Sequence, residues 1–496
     1  MVIILKRESV WIKDIKIDNV NSLNKNIDVD VLIIGGGITG ISSAYYLKDS
    51  KLNVCVVEQG YIGMGVTSKT TGKINYLQET IYSDLEEKYS YDVARKYYDS
   101  QKFAIYELIK IIENETIDCN LEKVESYVFT SKKSEIENIK FEKDILERFG
   151  VSVKEHFKLG NKLDCKYAIS VGDTYVFHPL KYLYKLKKIV LDSGIKIYEQ
   201  TRIKEIKKNE ESYVCFFENG RINAKKIILA CHYPFFLKPY MMPLKVYTEK
   251  SYVTASKVKD YKNETFITSS IPVKSVRYHK GKNNYMIYLS SSHNICNQLN
   301  EENNFKKVVE ETKRMGLKPD YIWANDDVMS VDGMPYIGRI ERNNDSLLLG
   351  SGFSTWGMTN GTLAGYCLSR MILGKNTDYD EIFDPMRACS LNNIGSCLVN
   401  AGSSLKSIVE NKLVKNKKWY SDNVKFEVRN GKNVAIYNDG KREHIVLSNC
   451  PHMGCTLLFN EFEKTWDCPC HASRFDLDGK VIKGPSSYDI SYNEKD

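Results

Sequence analysis

Apolar and polar positions near the N-terminus follow two different periods in turn. Residues 28–34 end in an unbroken apolar run, and residues 53–57 contain a second one. Between them, the apolar residues of 41–47 recur at the three- and four-residue spacing of a helix. The pattern predicts a buried strand, a helix and a second strand, which is the order of a parallel β-α-β unit.

The middle of the chain divides into segments with different patterns. Residues 75–170 mix helical runs with short strands, whereas residues 245–320 alternate apolar and polar positions as an antiparallel sheet does. Apolar runs at 226–230 and 346–349 predict two further strands, and residues 362–373 predict a helix. The sequence therefore predicts an α/β core that is interrupted by two inserts.

The C-terminal part of the chain has its own pattern. Residues 376–410 show weak helical periodicity and no motif, so we interpret them as a linker. Residues 424–437 are rich in strand-forming residues, and Asn430-Gly431 within them is a hairpin signal. A separate β-rich domain is predicted to begin here.

Composition is that of a soluble globular protein of several domains. The chain has 496 residues, 42% hydrophobic and 27% charged, which suggests about three domains. The net charge is +8, but the basic residues are spread along the chain with no dense block beyond Lys412 to Lys418. We interpret that run as a solvated linker face and expect no nucleic-acid partner.

The amino-acid sequence predicts no targeting signal. The apolar start, Met1 to Leu5, is too short for a signal peptide, and prolines and polar residues interrupt the apolar segment 227–244. Nine of the thirteen cysteines are scattered outside the C-terminal domain, unlike a secreted disulfide framework. We therefore expect a cytoplasmic protein without a transmembrane segment.

A glycine-rich turn follows the first predicted strand. The sequence 35–40 is G-x-G-x-x-G, in which Gly35 permits a tight turn, Gly37 admits a pyrophosphate and Gly40 lets the helix pack on the strand. Glu58 ends the second strand, where its carboxylate can accept hydrogen bonds from a ribose. Strand, glycines, helix, strand and acid in this order favour an ADP-containing cofactor over the alternative, a glycine-rich loop without a ligand.

Three later stretches decide which cofactor the motif serves. Residues 63–72 are small and hydroxylated, residues 332–338 read Asp-Gly-Met-Pro-Tyr-Ile-Gly, and residues 350–361 form a second glycine-rich loop. Together with the first motif they resemble the glycine/D-amino acid oxidase family of FAD enzymes. The resemblance implies that FAD is bound by Gly35, Gly37, Gly40, Glu58, Thr67, Ser68, Ile203, Gly352, Phe353, Trp356, Gly357 and Met358.

Two cysteines and two histidines form a metal motif near the C-terminus. Cys450 and His452 are a C-x-H pair, and Cys468 and His471 are a C-x-x-H pair. Two thiolates and two imidazoles are the ligands of a Rieske [2Fe-2S] centre. Structural zinc is the alternative, but zinc fingers place like ligands together, whereas each loop here carries one of each. The segment resembles a Rieske domain, including a Gly484-Pro485 loop over the cluster.

Each ligand loop carries one further cysteine, Cys455 or Cys470. In the Rieske proteins of respiratory complexes the matching pair forms a disulfide, so the resemblance implies one here. Two free thiols are the alternative, because cytosolic disulfides are uncommon.

The two resemblances together imply a fold class and domain limits. We expect an α/β FAD-binding Rossmann-like domain with an inserted α+β substrate domain, followed by an all-β Rieske domain. The limits are an N-terminal extension (1–27), the flavin domain (28–375) with substrate-domain inserts at about 75–170 and 245–320, a linker (376–410) and the Rieske domain (411–496).

The expected function combines two-electron flavin chemistry with a one-electron relay. The resemblance implies an FAD-dependent dehydrogenase that oxidises an amine or amino-acid-like substrate and passes electrons through the cluster to an unidentified acceptor, a protein or a quinone. Arg277 is the candidate anchor for a substrate carboxylate because its guanidinium can pair in two hydrogen bonds. Lys73 and Arg339 are candidates for positive charge near the flavin. A redox sensor without turnover and electron flow in the reverse direction are alternatives.

Overall fold

The structure is a computed structural model that describes residues 5–17, 21–160, 163–233, 242–295, 301–342, 344–387 and 423–493. Its strands are β1 (Ile27–Ile34), β2 (Val54–Val57), β3 (Lys73–Ile74), β4 (Glu122–Thr130), β5 (Lys154–His156), β6 (Tyr167–Val176), β7 (Lys196–Tyr198), β8 (Glu205–Asn209), β9 (Ser212–Phe217), β10 (Gly220–Leu229), β11 (Val246–Lys257), β12 (Glu264–Thr268), β13 (Ser275–His279), β14 (Tyr285–Asn294), β15 (Pro319–Ser330), β16 (Tyr336–Arg339), β17 (Leu347–Ser351), β18 (Val424–Arg429), β19 (Lys432–Asn438), β20 (Glu443–Leu447), β21 (Leu458–Asn460), β22 (Thr465–Asp467), β23 (Arg474–Phe475) and β24 (Val481–Lys483). Its helices are α1 (Ile38–Leu47), α2 (Ile81–Lys88), α3 (Tyr91–Asn114), α4 (Ile136–Arg148), α5 (Pro179–Asp192), α6 (Met242–Lys245), α7 (Glu301–Arg314), α8 (Gly357–Ile372) and α9 (Asp380–Phe383).

The predicted β-α-β unit forms the centre of an eight-stranded sheet. Its main order is β16-β17-β10-β1-β2-β7, and β1 pairs in parallel with both β2 and β10. The apolar runs of the sequence are buried because helices and neighbouring strands cover this sheet. Helix α8 packs closely on α1, since a Cβ at Gly365 would lie 2.5 Å from the Cβ of Ser42. This helix begins at Gly357, five residues before the predicted start.

A second sheet carries the two inserts. It has nine strands with the main order β15-β11-β14-β13-β12-β4-β6-β3, and its pairings are antiparallel except that of β12 with β4. The N-terminal segment runs against it, where Lys6 bridges to Tyr321 and the side chain of Trp11 is fully buried. The expected antiparallel sheet is thus present, and it also takes in residues of the expected extension.

The C-terminal domain consists of two small antiparallel sheets. Strands β18, β19 and β20 form one sheet, and β21 to β24 form the other. Asn430 and Gly431 join β18 to β19 with positive φ angles of 48° and 73°, as the two-residue hairpin signal predicted. The linker predicted at 376–410 lies largely outside the described residues.

Candidate functional site

The turn between β1 and α1 has the geometry expected of a phosphate-binding loop. Gly35 has a φ of +115°, and a Cβ at Gly40 would lie 1.9 Å from the carbonyl oxygen of Gly35. A Cβ at Gly37 would meet only Thr67 Oγ1, at 3.3 Å, so a side chain there would project into a cavity. Gly37 precedes α1 and has no side chain that could cap the start of this helix. An anionic group fits this helix terminus.

Glu58 lies at the end of β2 and lines the same cavity. Its Oε2 accepts a hydrogen bond from the amide of Gly36 and its Oε1 one from the amide of Gly60, both at 2.8 Å. These bonds hold the carboxylate in one place and leave further lone pairs for ribose hydroxyls. Ile203, the residue expected beside adenine, also lines the cavity.

This cavity extends from the glycine-rich turn to the C-terminal domain. The residues that line it from the flavin-domain prediction are Gly35, Gly37, Glu58, Thr67, Ile203, Phe353, Gly357 and Met358. The residues that line it from the C-terminal domain are Arg474, Ile482, Lys483, Gly484, Pro485, Ser486 and Ser487. The loop expected to cover the iron-sulfur cluster therefore forms one wall of the cavity expected to hold FAD.

Four residues predicted to bind FAD have other positions. Gly40 lies at the contact of α1 with β1, as described above, and Ser68 is buried with its hydroxyl donating to the carbonyl of Gly65 at 2.8 Å. Gly352 has a φ of +70° in the turn after β17. Trp356 lines a second cavity. Gly40 thus shapes the packing of α1, whereas Ser68, Gly352 and Trp356 belong to turns or loops beside the cavities.

The four predicted cluster ligands come together in the C-terminal domain. Cys450 and Cys468 are each 1% exposed, and the rings of His452 and His471 lie 5.0 Å apart. Within the described chain, the Nδ1 atom of His471 is buried without a hydrogen-bond partner, and burial lowers the pKa of this imidazole to about 4. A neutral, buried imidazole and two adjacent sulfurs fit the donor set of a [2Fe-2S] cluster.

Ser473 and a disulfide hold the ligand loops. The Ser473 hydroxyl accepts from the amide of Ser486 at 2.9 Å and lies beside Cys450, so it connects the Gly484-Pro485 loop to a ligand. Cys455 and Cys470 form a disulfide between the two loops, as the resemblance implied. Both cysteines are buried.

Tyr233, at the end of the segment after β10, connects the two sites. Its ring centroid lies 5.7 Å from that of His471 and 6.2 Å from that of His452, and the residue also lines the flavin cavity. Neighbouring His232 has a φ of +63° and its Nε2 lies 2.9 Å from the carbonyl of Asp326. Sequence reasoning missed both residues because no motif surrounds them.

Buried ion pairs join the two domains beside the cavity. Lys250 is paired with Glu463 at 3.4 Å, and Arg474 donates to the same carboxylate at 2.8 Å. Lys483 of the Rieske domain is paired with Asp326 of β15 at 2.7 Å. Lys250 and Lys483 lie more than one hundred residues along the chain from their partners, so no local pattern indicates these two pairs.

The second cavity, of about 450 Å³, lies against the antiparallel sheet. Lys69, Asp327 and Met358 line both cavities, so the two spaces meet there. Lys73 also lines this cavity; its ammonium donates to the carbonyl of Phe266 at 3.0 Å, and burial lowers its pKa to about 7. This position beside the flavin cavity is suited to a substrate.

Arg277 does not have the role that the sequence suggested. Its side chain is fully buried, and its Nη1 donates to the carbonyls of Thr71 at 2.7 Å, Gly72 at 2.8 Å and Phe177 at 3.0 Å. It lines neither cavity. The guanidinium holds three backbone segments together and has no access to a substrate carboxylate, which corrects the expectation. Arg339 is likewise placed elsewhere, paired with Asp345 at the surface.

No helix in the part of the chain that the structure describes is long and apolar enough to cross a membrane.

Comparison with known families agrees with both sites. The family model of the FAD-dependent oxidoreductases matches residues 30–371, and the chain belongs to this family. A Rieske [2Fe-2S] domain model matches residues 410–491. The chain is therefore an oxidoreductase that binds FAD and a [2Fe-2S] cluster.

Individual relatives cover either the whole chain or its flavin part. A putative Rieske 2Fe-2S iron-sulfur protein, YhfW of Bacillus subtilis, is 29% identical over 97% of this chain and 96% of its own length. Gamma-glutamylputrescine oxidoreductase of Escherichia coli is 22% identical over 73% of this chain and 87% of its own. The crystal structure of glycine oxidase from Geobacillus kaustophilus has a TM-score of 0.62 at 16% identity, covering 73% of this chain and 99% of that one.

Proposed function

We propose that the chain is a flavin dehydrogenase that oxidises an amine or amino-acid-like substrate and passes the electrons through its Rieske cluster to an acceptor. The observation that carries the proposal is the wall shared by the two cofactor sites. Residues 482–487 line the flavin cavity, and Ser486 within them is hydrogen-bonded to Ser473 beside the cluster ligand Cys450.

The chemistry of the two groups explains why they share a chain. When bound, the flavin removes two electrons from a substrate and the cluster accepts one at a time. The protein's part is to hold the substrate and to exclude water. In this proposal the second cavity holds the substrate, since it meets the flavin cavity at Asp327 and Met358. The Gly484-Pro485 loop excludes water at the side of the cluster.

The named relatives support the substrate class. The Escherichia coli relative is named an oxidoreductase of gamma-glutamylputrescine, an amine, and the Geobacillus kaustophilus structure is that of an oxidase of glycine, an amino acid. Substrates of this class give up a hydride from the carbon beside nitrogen, a reaction that depends on orientation. The acceptor in this proposal is a protein or a quinone.

An anaerobic mixing experiment tests the proposal. Amines and amino acids are added to the holoprotein without oxygen, while flavin absorbance and the electron paramagnetic resonance signal of the reduced cluster are followed. We expect flavin bleaching first and the cluster signal afterwards. If no substrate bleaches the flavin while an external reductant reduces the cluster first and then the flavin, electron flow is reversed and the proposal is wrong.

A further inference from the structure

Two carboxylates lie directly opposite each other in the wall of the second cavity. Glu249 of β11 is the cross-strand partner of Asp327 of β15, and both residues line the cavity of about 450 Å³. Residues two positions away on each strand line it too, as alternation of side chains in a sheet requires. Like charges directly opposite in a ladder are destabilising, so this pair is stabilised either by a cation or by taking up a proton.

The described part of the chain places no basic side chain within ion-pair distance of these two carboxylates. In the described segments, neither Glu249 nor Asp327 forms an ion pair, whereas neighbouring Asp326, on the other face of β15, is paired with Lys483 at 2.7 Å. Burial and repulsion by Glu249 raise the pKa of Asp327 to about 7, and burial raises that of Glu249. The ammonium of Lys73 donates to Ser275 Oγ at 2.6 Å.

A buried amide oxygen points to the same kind of ligand. Asn325 is 5% exposed and lines the cavity, and its Nδ2 donates to Asp327 Oδ2 at 2.8 Å. This bond fixes the orientation of the amide. Among the described residues its Oδ1 has no hydrogen-bond partner, although a buried acceptor is costly to leave unsatisfied. A ligand with N–H donors would satisfy it.

We propose that the pair Glu249 and Asp327, with Asn325 Oδ1, binds the cationic nitrogen of an organic amine, and that the substrate carries no carboxylate beside that nitrogen. Glu79 adds a third carboxylate to the lining, where burial and Glu249 raise its pKa to about 7. Lys69 and Lys73 also line the cavity, and no arginine is present in the described lining. A carboxylate placed beside the bound nitrogen would lie against Glu249 and Asp327 and would be repelled by them. This inference rests on the proposed function, in which the cavity is the substrate site. It narrows the substrate class from amines and amino acids to amines.

Matched ligands separate the two classes. The probes are phenethylamine against phenylalanine and 1,4-diaminobutane against ornithine, pairs that differ only in the α-carboxylate. Calorimetric titration of the FAD-loaded, cluster-loaded protein gives the dissociation constants. We expect at least one amine to bind about tenfold or more tightly than its amino acid, the size of one lost charge-assisted contact. Tighter binding of the amino acid in both pairs would overturn the inference.

Conservative variants test the named residues. Glu249→Gln and Asp327→Asn are expected to weaken amine binding about tenfold or more. Each should also raise the melting temperature of the ligand-free protein, because each removes half of a repelling pair. A merely structural carboxylate would lower the melting temperature when replaced and leave amine binding unchanged, which would overturn the assignment. Glu264→Gln, in β12 of the same sheet and outside both linings, is the matched control.

Binding and turnover distinguish this inference from the function on which it rests. Amines that bind through Glu249 and Asp327 without bleaching the flavin would support the site and contradict the dehydrogenase. Amino acids that bleach the flavin, with binding unaffected by either variant, would support the dehydrogenase and contradict the site.

Discussion

The ring of Tyr233 lies 5.7 Å from the imidazole of His471, measured between centroids, and lines the flavin cavity on its other side. An aromatic residue of the flavin domain thus contacts an expected iron ligand of the Rieske domain. The same ring therefore borders both cofactor sites.

The first prediction concerns this contact. Tyr233→Leu removes the ring and should slow reduction of the cluster about tenfold, which corresponds to about 1.4 kcal/mol in the barrier. Flavin bleaching by substrate should keep its rate. Stopped-flow absorbance at flavin and cluster wavelengths measures both phases. Tyr233→Phe keeps the ring and is the control; equal rates in all three proteins would show that the ring has no part in transfer.

FAD binding should depend on Gly37 and Glu58 to different degrees. Gly37→Val should abolish binding, because its side chain would fill the space that the cavity offers a pyrophosphate. Glu58→Gln should weaken binding by about 1–3 kcal/mol, since an amide NH₂ would face the amide donor of Gly36 or Gly60. The ratio of flavin to protein absorbance measures occupancy. Gly172→Ala, where a Cβ meets nothing within 4 Å, should retain full occupancy.

FAD should be held without a covalent bond, because no Cys or His stands in a motif that we can assign to flavin attachment. Acid precipitation should release all of the yellow chromophore into the supernatant. Chromophore that remained in the pellet would contradict this prediction.

The cluster potential should respond to Ser473 and Phe475. High-potential respiratory Rieske proteins have a serine and a tyrosine at these positions, whose hydroxyls donate towards the cluster. Ser473 lies beside Cys450 and can donate to it, but Phe475 is buried and carries no hydroxyl. We therefore expect a potential below the upper part of the range of about −150 to +300 mV.

Redox titration of two variants checks this. Ser473→Ala should lower the potential and Phe475→Tyr should raise it. The visible spectrum of each variant should match that of the wild type, because the cluster ligands are unchanged. A wild-type potential at the top of the range, or unchanged potentials in both variants, would show that other groups control it.

Docking of the Rieske domain should depend on Asp326. Lys483 and Lys250 hold the pKa of this carboxyl well below its ordinary value, despite burial. Because the folded pKa is depressed, the stabilisation is complete above about pH 4 and is lost as pH falls below it. Asp326→Asn should cost about 3–5 kcal/mol in the free energy of unfolding at neutral pH.

Chemical denaturation of wild type and Asp326→Asn at several pH values measures this dependence. The two proteins should converge in stability as the pH falls below about 4. A difference that stays constant down to pH 2 would mean that the side chain acts through packing and that its charge is unimportant. Asp345→Asn, which affects a surface pair with Arg339, is the control and should change stability by less than about 1 kcal/mol.

Local patterns predicted the parts of the structure that local physics determines. The apolar runs of β1 and β2, the glycines between them and the Asn430-Gly431 hairpin each depend on neighbours in sequence. The spacing of Cys450, His452, Cys468 and His471 identified the cluster because its ligand loops are short. The start of α8 was misplaced because glycine and polar residues at its first turn hide a helical pattern.

Long-range contacts could not be predicted in this way. Arg277 was expected to bind a substrate. Instead Trp11 lies over its guanidinium, and carbonyls that are distant in sequence accept its hydrogen bonds. The opposition of Glu249 and Asp327 depends on the register of two strands that are separated by 61 residues. The order of residues in a single sequence does not indicate which positions of two distant strands pair.

The wall formed by residues 482–487 has a consequence for how this protein can change. Substitutions in that loop alter the surroundings of the flavin and, through Ser486 and Ser473, those of the iron-sulfur ligands. A substitution at these positions therefore changes the surroundings of both cofactors. An engineered or evolved change in substrate oxidation made there will also change electron transfer through the cluster. Independent adjustment is available in the second cavity at Tyr247 and Ile271, which line it without lining the cavity shared with the Rieske domain.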